Sequence, residues 1–181
     1  PAYEIPLRLV GSEMCIRDRS YSGNEGNPTE EGLYDDARSA IKWLEDKDIN
    51  INDIIIYGES LGTAVSIEVA QKASFKGIIL EAPFTSMIDA AKYHYPYLPV
   101  GIMLKDKYLS DKKIKNINSP ILIMHAMGDD IVPFRMGKTM FNLANEPKYN
   151  YFIDEDKHLV TYDEKLMKNM DNFYKVLKVN E

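Results

Sequence analysis

The sequence predicts an α/β fold with a mostly parallel sheet and flanking helices. Four short apolar runs alternate with longer segments in which apolar residues recur at helical spacing. This alternation is typical of βα units, whose strands pair in parallel. The second run, residues 76–82, is almost continuously apolar, as expected for a strand that is covered on both faces. A length of 181 residues and a hydrophobic content of 45% suit one domain with a single core.

The first half of the chain gives a loop, a helix and a strand in that order. Gly23, Gly26 and Pro28 mark the loop. The helix is expected to run to about residue 48, with an apolar face formed by Leu33, Ala37, Ala40, Ile41 and Leu44. Residues 53–57 are the first predicted strand, and the helix after the following turn is expected to end near residue 72.

The second half repeats the pattern. After the strand at residues 76–82, residues 121–125 form the third predicted strand and residues 149–153 the fourth. Pro133 opens a helix between them, with Met136, Met140, Leu143 and Ala144 on its apolar side. The last helix begins near residue 162 and is predicted to bury one stripe made of Leu166, Met167, Met170, Phe173, Tyr174 and Leu177.

Residues 84–118 are longer than a plain connection between a strand and the next strand. They include a run of tyrosines and aliphatic residues between Tyr93 and Leu104. Two interpretations stay open: a small cap over a site that binds an apolar acyl group, or short helices packed on the sheet.

Composition excludes some classes of partner. A formal net charge of -6, with lysines scattered among carboxylates, argues against a nucleic-acid surface. No apolar run approaches the roughly 18 residues of a membrane span. The single cysteine, Cys15, allows no intrachain disulfide, so we expect a cytoplasmic protein, or a membrane-associated one if an N-terminal anchor has been lost.

The N-terminal segment fits poorly with the rest. Residues 1–19 are a doubtful, non-native segment in our interpretation, because residues 6–19 look like translated sequencing-adapter read-through. The alternative is a genuine irregular segment with one short strand. Residues 20–181 are expected to be a partial domain that lacks its first strands.

The turn after the first strand carries the pattern Gly58-Glu59-Ser60-Leu61-Gly62. A strand that runs into Gly-x-Ser-x-Gly and then into a helix of small residues is typical of a nucleophile elbow, which presents its serine hydroxyl above the sheet. Both glycines are expected where a Cβ would strike the neighbouring backbone. The alternative is a glycine-rich turn in some other α/β fold.

Ser60 needs a base, and the base needs a carboxylate to orient it. His158 follows the fourth strand, whereas His125 ends a strand and His94 lies in residues 84–118, where neither suits a base for Ser60. Asp129 and Asp130 follow the third strand, so both lie at the carboxyl edge of the sheet and either could bond the histidine.

These residues resemble the α/β-hydrolases, in particular the serine hydrolases related to depalmitoylating thioesterases. The matching stretches are residues 25–37, 57–62, 84–86, 105–108 and 129–134. The resemblance implies the C-terminal portion of an α/β-hydrolase fold. It also implies Ser60 as nucleophile, Asp129 rather than Asp130 as the acid, and His158 as the base.

The chain departs from these relatives in two places. Residues 154–157 are charged where relatives usually have glycines, so a different loop geometry is expected, and the carboxylates can raise the affinity of His158 for a proton. The strands and His-Gly loop that precede this region in relatives are also absent. The Leu61 N–H is then the remaining oxyanion donor, and the first strand has a bare edge next to the elbow.

The sequence therefore predicts a serine hydrolase that cleaves a carboxylic ester or thioester through an acyl-enzyme. The expected partner is a small-molecule or acylated substrate, and no metal or organic cofactor is needed. Activity of this chain by itself is expected to be impaired. The alternatives are a non-catalytic binding protein of the same fold and a serine peptidase.

Overall fold

A computed structural model describes residues 27–179, so the doubtful N-terminal segment lies outside the described part. The helices are α1 (Glu30–Glu45), α2 (Leu61–Ala70), α3 (Met87–His94), α4 (Val100–Met103), α5 (Ser110–Lys113), α6 (Phe134–Leu143) and α7 (Glu164–Val179). The strands are β1 (Ile55–Glu59), β2 (Gly77–Glu81), β3 (Ile121–Ala126) and β4 (Lys148–Ile153). Short 3₁₀ turns lie at Ile51–Asp53 and Ile114–Asn116.

The strands form one parallel sheet in the order β1-β2-β3-β4. Each strand pairs with the next along the chain, and a helical connection lies between them, as the alternating pattern predicts. The predicted fold class, a parallel sheet with flanking helices, is confirmed. Within residues 27–179, β1 pairs with β2 alone, so its other edge has no strand beside it in this part of the chain.

Side chains alternate between the two faces of the sheet, which explains the continuous apolar runs of β2 and β3. One face is covered by α2 and α6; it buries Ile67, Ile78, Leu80, Ile121, Ile123 and Met140. The other face is covered by α7; it buries Ile79, Leu122, Met124, Leu166, Met170, Phe173 and Leu177. The sheet is therefore enclosed on both sides.

Helix α1 packs over α2, which places α2 between a helix and the sheet. Thr29 caps α1 by accepting the Gly32 N–H at 3.2 Å. A third cluster joins the two helices to residues further along the chain; it contains Leu33, Tyr34, Ala64, Phe84, Tyr108, Val132 and Met136. Helix α2 is covered by α1 on one side and by the sheet on the other, so six of its side chains are buried, including Thr63 and Ser66.

Some predicted boundaries and faces differ from the structure. Strand β1 starts at Ile55, because the Asn50 side chain accepts the Asn52 N–H and holds residues 51–53 in a 3₁₀ turn. Leu143, Met167 and Tyr174, which the helical stripes placed in the core, are 40%, 45% and 42% exposed. The predicted stripes are wider than the strip of each helix that faces the sheet.

The segment after β2 is a set of short helices with much of its apolar surface in solvent. Helix α3 buries none of its side chains, and Tyr97 and Ile102 are 97% and 90% exposed. The segment contacts the carboxyl side of the sheet, since His94 Nε2 lies 2.8 Å from the Ile131 carbonyl oxygen. Whether it serves as a cap over an acyl group stays a prediction.

Candidate active site

Ser60 lies between the end of β1 and the start of α2 in a conformation that side chains rarely adopt. Its φ is 49° and its ψ is -113°, and a positive φ of this kind persists only where the surroundings hold it. The Ser60 N–H donates to the Glu81 carbonyl at 2.9 Å, and the Ser60 carbonyl accepts the Thr63 N–H and hydroxyl at 3.0 and 2.6 Å. The turn is thus fixed by β2 on one side and by α2 on the other.

The two glycines of the elbow do not have the same role. A Cβ at Gly58 would lie 2.5 Å from Ser66 Oγ and 2.6 Å from the Gly62 carbonyl oxygen. At Gly62, a Cβ would meet nothing within 4 Å in the described part of the chain. The prediction that both positions exclude a Cβ is therefore correct for Gly58 and wrong for Gly62. The backbone of Gly62 blocks a side chain at Gly58, but the space around Gly62 itself is open.

The structure brings Ser60, His158 and Asp129 into one hydrogen-bonded row. His158 Nε2 lies 2.9 Å from Ser60 Oγ, and His158 Nδ1 lies 2.9 Å from Asp129 Oδ2. The three residues follow β1, β3 and β4, and parallel strands place their carboxyl ends at the same edge. Since a carboxylate accepts only, Nδ1 carries the proton and Nε2 is the acceptor for the serine hydroxyl.

Asp129 is the acid in this row, and Asp130 is exposed. The Asp129 side chain is buried; its Oδ1 accepts the N–H groups of Ile131 and Val132, each at 2.9 Å. Burial alone raises the pKa of Asp129, but hydrogen bonds from His125, His158 and the Val132 N–H outweigh it and hold the pKa well below its ordinary value. The carboxylate is therefore ionised at neutral pH.

His125 also contacts Asp129, although the sequence pattern predicted no role for it. Its side chain is fully buried, with Nε2 2.8 Å from the Val132 carbonyl and 3.3 Å from Asp129 Oδ2. Because a carbonyl only accepts, Nε2 carries a proton that lies between these two oxygens. The imidazole ring of His125 fits because residue 137 is a glycine, since a Cβ there would lie 2.1 Å from His125 Nδ1.

The charged run before His158 packs against the loop that carries Asp129. Gly128 donates its N–H to the Glu155 carbonyl at 3.0 Å, and the Glu155 carboxylate accepts the N–H and hydroxyl of Thr161. His158 thus reaches Ser60 without the usual glycines. The pKa of His158 is raised, chiefly by its hydrogen bond to Asp129, against burial, which lowers it; Glu59 and Glu81 raise it further.

Leu61 is the first residue of α2, directly after Ser60. Its N–H belongs to the donors at a helix N-terminus that have no acceptor within the helix, and these are suited to a developing oxyanion. Its role as an oxyanion donor stays a prediction.

Two negative findings concern only residues 27–179. This part of the chain contains no group of three or more His, Cys, Asp or Glu side chains placed to hold a metal ion. It also contains no helix long and apolar enough to cross a membrane.

Comparisons with known proteins agree with this architecture. The sequence profile of the prolyl oligopeptidase family matches residues 24–175. The uncharacterized protein Rv2307c of Mycobacterium tuberculosis is 39% identical over 146 residues, which are 80% of this chain and 52% of that protein. The lysophosphatidylserine lipase ABHD12 of Danio rerio is 34% identical over 161 residues, covering 78% of this chain and 42% of that protein.

A solved structure, the alpha-beta hydrolase from Vibrio vulnificus, superposes with a TM-score of 0.69 and 25% identity. The alignment covers 88% of this chain and 61% of that structure. The chain spans about half the length of the curated relatives it matches. The predicted resemblance to α/β-hydrolases is confirmed, and the chain belongs to the prolyl oligopeptidase family.

Proposed function

We propose that this chain carries the catalytic residues of a serine hydrolase that cleaves a carboxylic ester or thioester through an acyl-enzyme. The observation that supports it best is the row from Ser60 through His158 to Asp129, with both hydrogen bonds at 2.9 Å. This is the arrangement that makes a serine hydroxyl nucleophilic at neutral pH.

In the proposed mechanism, Ser60 Oγ attacks the acyl carbonyl while His158 Nε2 takes its proton. Asp129 Oδ2 keeps Nδ1 protonated and stabilises the imidazolium that forms. His158 then returns the proton to the leaving group, and a water molecule repeats the sequence to release the acid. The Leu61 N–H is the proposed donor to the oxyanion, and a second donor would add about 100- to 1,000-fold in turnover.

The proposed substrate is a small molecule or an acylated partner. A net charge of -6 gives no support for a nucleic-acid ligand. A similar relative is named a lysophosphatidylserine lipase, which favours an ester. A cytoplasmic location is part of the proposal.

A fluorophosphonate probe tests the nucleophile. We expect the probe to label the protein and labelling to disappear in Ser60→Ala, because the probe forms its bond to Oγ. Ser66→Ala, on the helix that follows Ser60, is the matched control and should keep labelling. Equal labelling of wild type and Ser60→Ala would contradict the proposal.

Two further experiments distinguish the proposed enzyme from the alternatives. If the protein is an enzyme, His158→Asn should lower ester turnover by orders of magnitude. If it is a binding protein, the same substitution should leave its affinity for the ligand unchanged.

A serine peptidase is the second candidate because of the family to which the chain belongs. Ester, thioester and amide substrates with the same acyl group distinguish it, since a peptidase would cleave the amide at a comparable rate.

A further inference from the structure

Glu81 is a fully buried carboxyl group at the end of β2, beneath the loop that carries His158. Its Oε1 accepts the Val160 N–H at 2.8 Å. Its Oε2 accepts the Tyr162 hydroxyl at 3.0 Å and the Tyr57 hydroxyl, and the two phenol oxygens also contact each other. All the donors come from the strand before Ser60 or from the segment after His158.

The backbone of the same residue holds the nucleophile. The Glu81 carbonyl accepts the Ser60 N–H at 2.9 Å, so one residue bonds the serine turn through its main chain and the histidine loop through its side chain. Val160 lies two residues after His158 and is buried. A shift of the Glu81 side chain would therefore move His158 relative to Ser60.

The sheet itself does not need a carboxyl group at this position. Position 81 ends an otherwise apolar strand, and the neighbouring Met124 and Leu80 are fully buried. An acid in such a place costs free energy unless its oxygens are bonded, and an apolar residue of similar size is often at least as stable. The stability of the fold alone therefore gives no reason for glutamate here.

We propose that Glu81, together with Tyr57 and Tyr162, is a positioning group that fixes the distance between His158 and Ser60. The inference rests on the proposed function, in which that distance governs proton transfer. Glu81 contacts no reacting atom and acts through the Val160 N–H and the two phenols.

The charges around His158 belong to three different segments. Asp129 faces it from the loop after β3, Glu59 from the end of β1 and Glu81 from the end of β2, and each raises the pKa of the imidazole. The pKa of Glu81 itself is raised, because burial outweighs the hydrogen bonds from Tyr57, Val160 and Tyr162, which lower it. A variant that removes the Glu81 charge but keeps its shape separates charge from position.

The test compares Glu81→Ala with Glu81→Gln by two readouts. The first is the second-order rate of fluorophosphonate labelling, and the second is the NMR signal of the His158 Nδ1–H that bonds Asp129. Glu81→Ala should slow labelling about 100-fold and shift or broaden the imidazole signal. Glu81→Gln keeps an acceptor for the Val160 N–H, and its amide can donate to the phenols, so it should restore both readouts to within a few-fold.

Glu68→Gln is the matched control, because Glu68 is also a shielded acid but bonds Arg38 and Lys113 away from the site. It should leave labelling unchanged. Wild-type labelling in Glu81→Ala would overturn the inference, and so would an equal loss in Glu81→Gln or Glu68→Gln. Where Glu81→Ala does not fold, Tyr162→Phe replaces it with the same criterion.

The two readouts separate the inference from the proposed function. If the wild-type protein is not labelled at all, the proposed function fails, and the imidazole signal then decides the positioning role by itself. If the wild type is labelled and Glu81→Ala matches it, the inference alone fails.

Discussion

In the proposed mechanism, the charge of His158 governs the reactivity of Ser60. Its pKa lies above the ordinary 6.5, with the hydrogen bond to Asp129 as the first cause, and only the neutral imidazole can accept the serine proton. We therefore expect labelling to fall as the pH falls through this raised pKa, with a midpoint above 6.5. A pH profile of the labelling rate measures it, and a midpoint below 6.5 would contradict the expectation.

The same group changes stability in the opposite direction. A raised pKa in the folded protein means that protonated His158 stabilises the fold below its unfolded pKa, and that this stabilisation is lost as the pH rises through the folded pKa. Asp129→Asn should weaken both effects, because it removes the largest cause of the raised pKa, and should lower reactivity by about 10⁴-fold. Asp130→Asn is the control, since Asp130 is exposed and should change neither.

His125 and His94 allow a second comparison at single residues. Both bond carbonyls of the loop after Asp129, namely those of Val132 and Ile131 at 2.8 Å each, but His125 is buried and His94 is exposed. His125→Leu leaves the Val132 carbonyl without its donor and Asp129 with one partner fewer. We expect it to lose about 1–3 kcal/mol of unfolding free energy and about tenfold in labelling.

His94→Leu is the matched change, and its effect on urea unfolding should stay within about 0.5 kcal/mol. His125→Gln, which restores an N–H near the position of Nε2, should recover part of the loss. Equal effects of His125→Leu and His94→Leu on unfolding and labelling would contradict the prediction that the buried contact of His125 with Asp129 is the important one.

Individual site residues could be predicted from the sequence where chain order carried the information. Ser60 and His158 follow strands in the order of the hydrolase triad, so the sequence indicated both. Asp129 and Asp130 could not be separated by position, because the choice depends on which carboxylate the loop turns inward toward the Ile131 and Val132 N–H groups. His125 was missed because its contact with Asp129 depends on that same turn. Glu81 could have been noticed in the sequence, because an acid is unusual in an apolar strand.

At the level of elements, the elbow makes a sharp distinction between its glycines. In Gly58→Ala, the new Cβ would lie 2.5 Å from Ser66 Oγ and 2.6 Å from the Gly62 carbonyl oxygen. It should lower the unfolding free energy by about 1–3 kcal/mol. Gly62→Ala should be neutral or stabilising by up to about 1 kcal/mol, since alanine is the better helix former. Urea unfolding of the two variants checks the difference, and similar destabilisation in both would be inconsistent with the open space at Gly62.

The helices show where periodicity stops being informative. Met140 and Leu166 are fully buried as their stripes predict, whereas Leu143, Met167 and Tyr174 are substantially exposed. A helix on a flat sheet buries a strip narrower than the full apolar face. The sequence marks which face points inward, but the width of the contact depends on the neighbouring elements.

For the whole molecule, Glu30 joins distant segments. Its Oε2 accepts the N–H groups of Lys107 and Tyr108 at 2.7 and 2.9 Å, and its Oε1 accepts the Tyr34 hydroxyl at 2.8 Å. Glu30→Gln should cost about 1.5–3 kcal/mol, because hydrogen bonds to a charged acceptor are replaced by weaker ones. Trypsin should then cut faster at Lys105 and Lys107.

The pH dependence of this contribution has a defined sign. Burial raises the pKa of Glu30, but its hydrogen bonds and Lys113 bring it below the ordinary 4.5. The stabilisation is therefore present above pH 4.5 and is lost as the pH falls through the lowered pKa. Glu31→Gln is the control, since its pair with Arg38 is exposed and worth about 0–1 kcal/mol. Unfolding at pH 7 and at pH 4 measures both variants.

The fold as a whole could be predicted because its strands are uninterrupted and follow in simple order, as Ile78 to Leu80 and Ile121 to Met124 illustrate. The course of residues 84–118 could not, since short helices with exposed side chains such as Tyr97 and Ile102 carry no burial pattern. The unpaired edge of β1 was expected, and in the described part β1 has β2 as its single neighbour.

The wide spacing of the candidate catalytic residues along the chain has a consequence for protein synthesis. Ser60 and His158 are 98 positions apart, and both Ser60 and Glu81, whose carbonyl accepts the Ser60 N–H, are synthesised before His158. In the proposed hydrolase, a growing polypeptide therefore contains the nucleophile before it contains the base that would activate it. Under the proposed mechanism, Ser60 becomes reactive only when β4 joins the sheet and brings His158 to it, and we expect an unfinished or partly folded copy not to attack acyl groups around it.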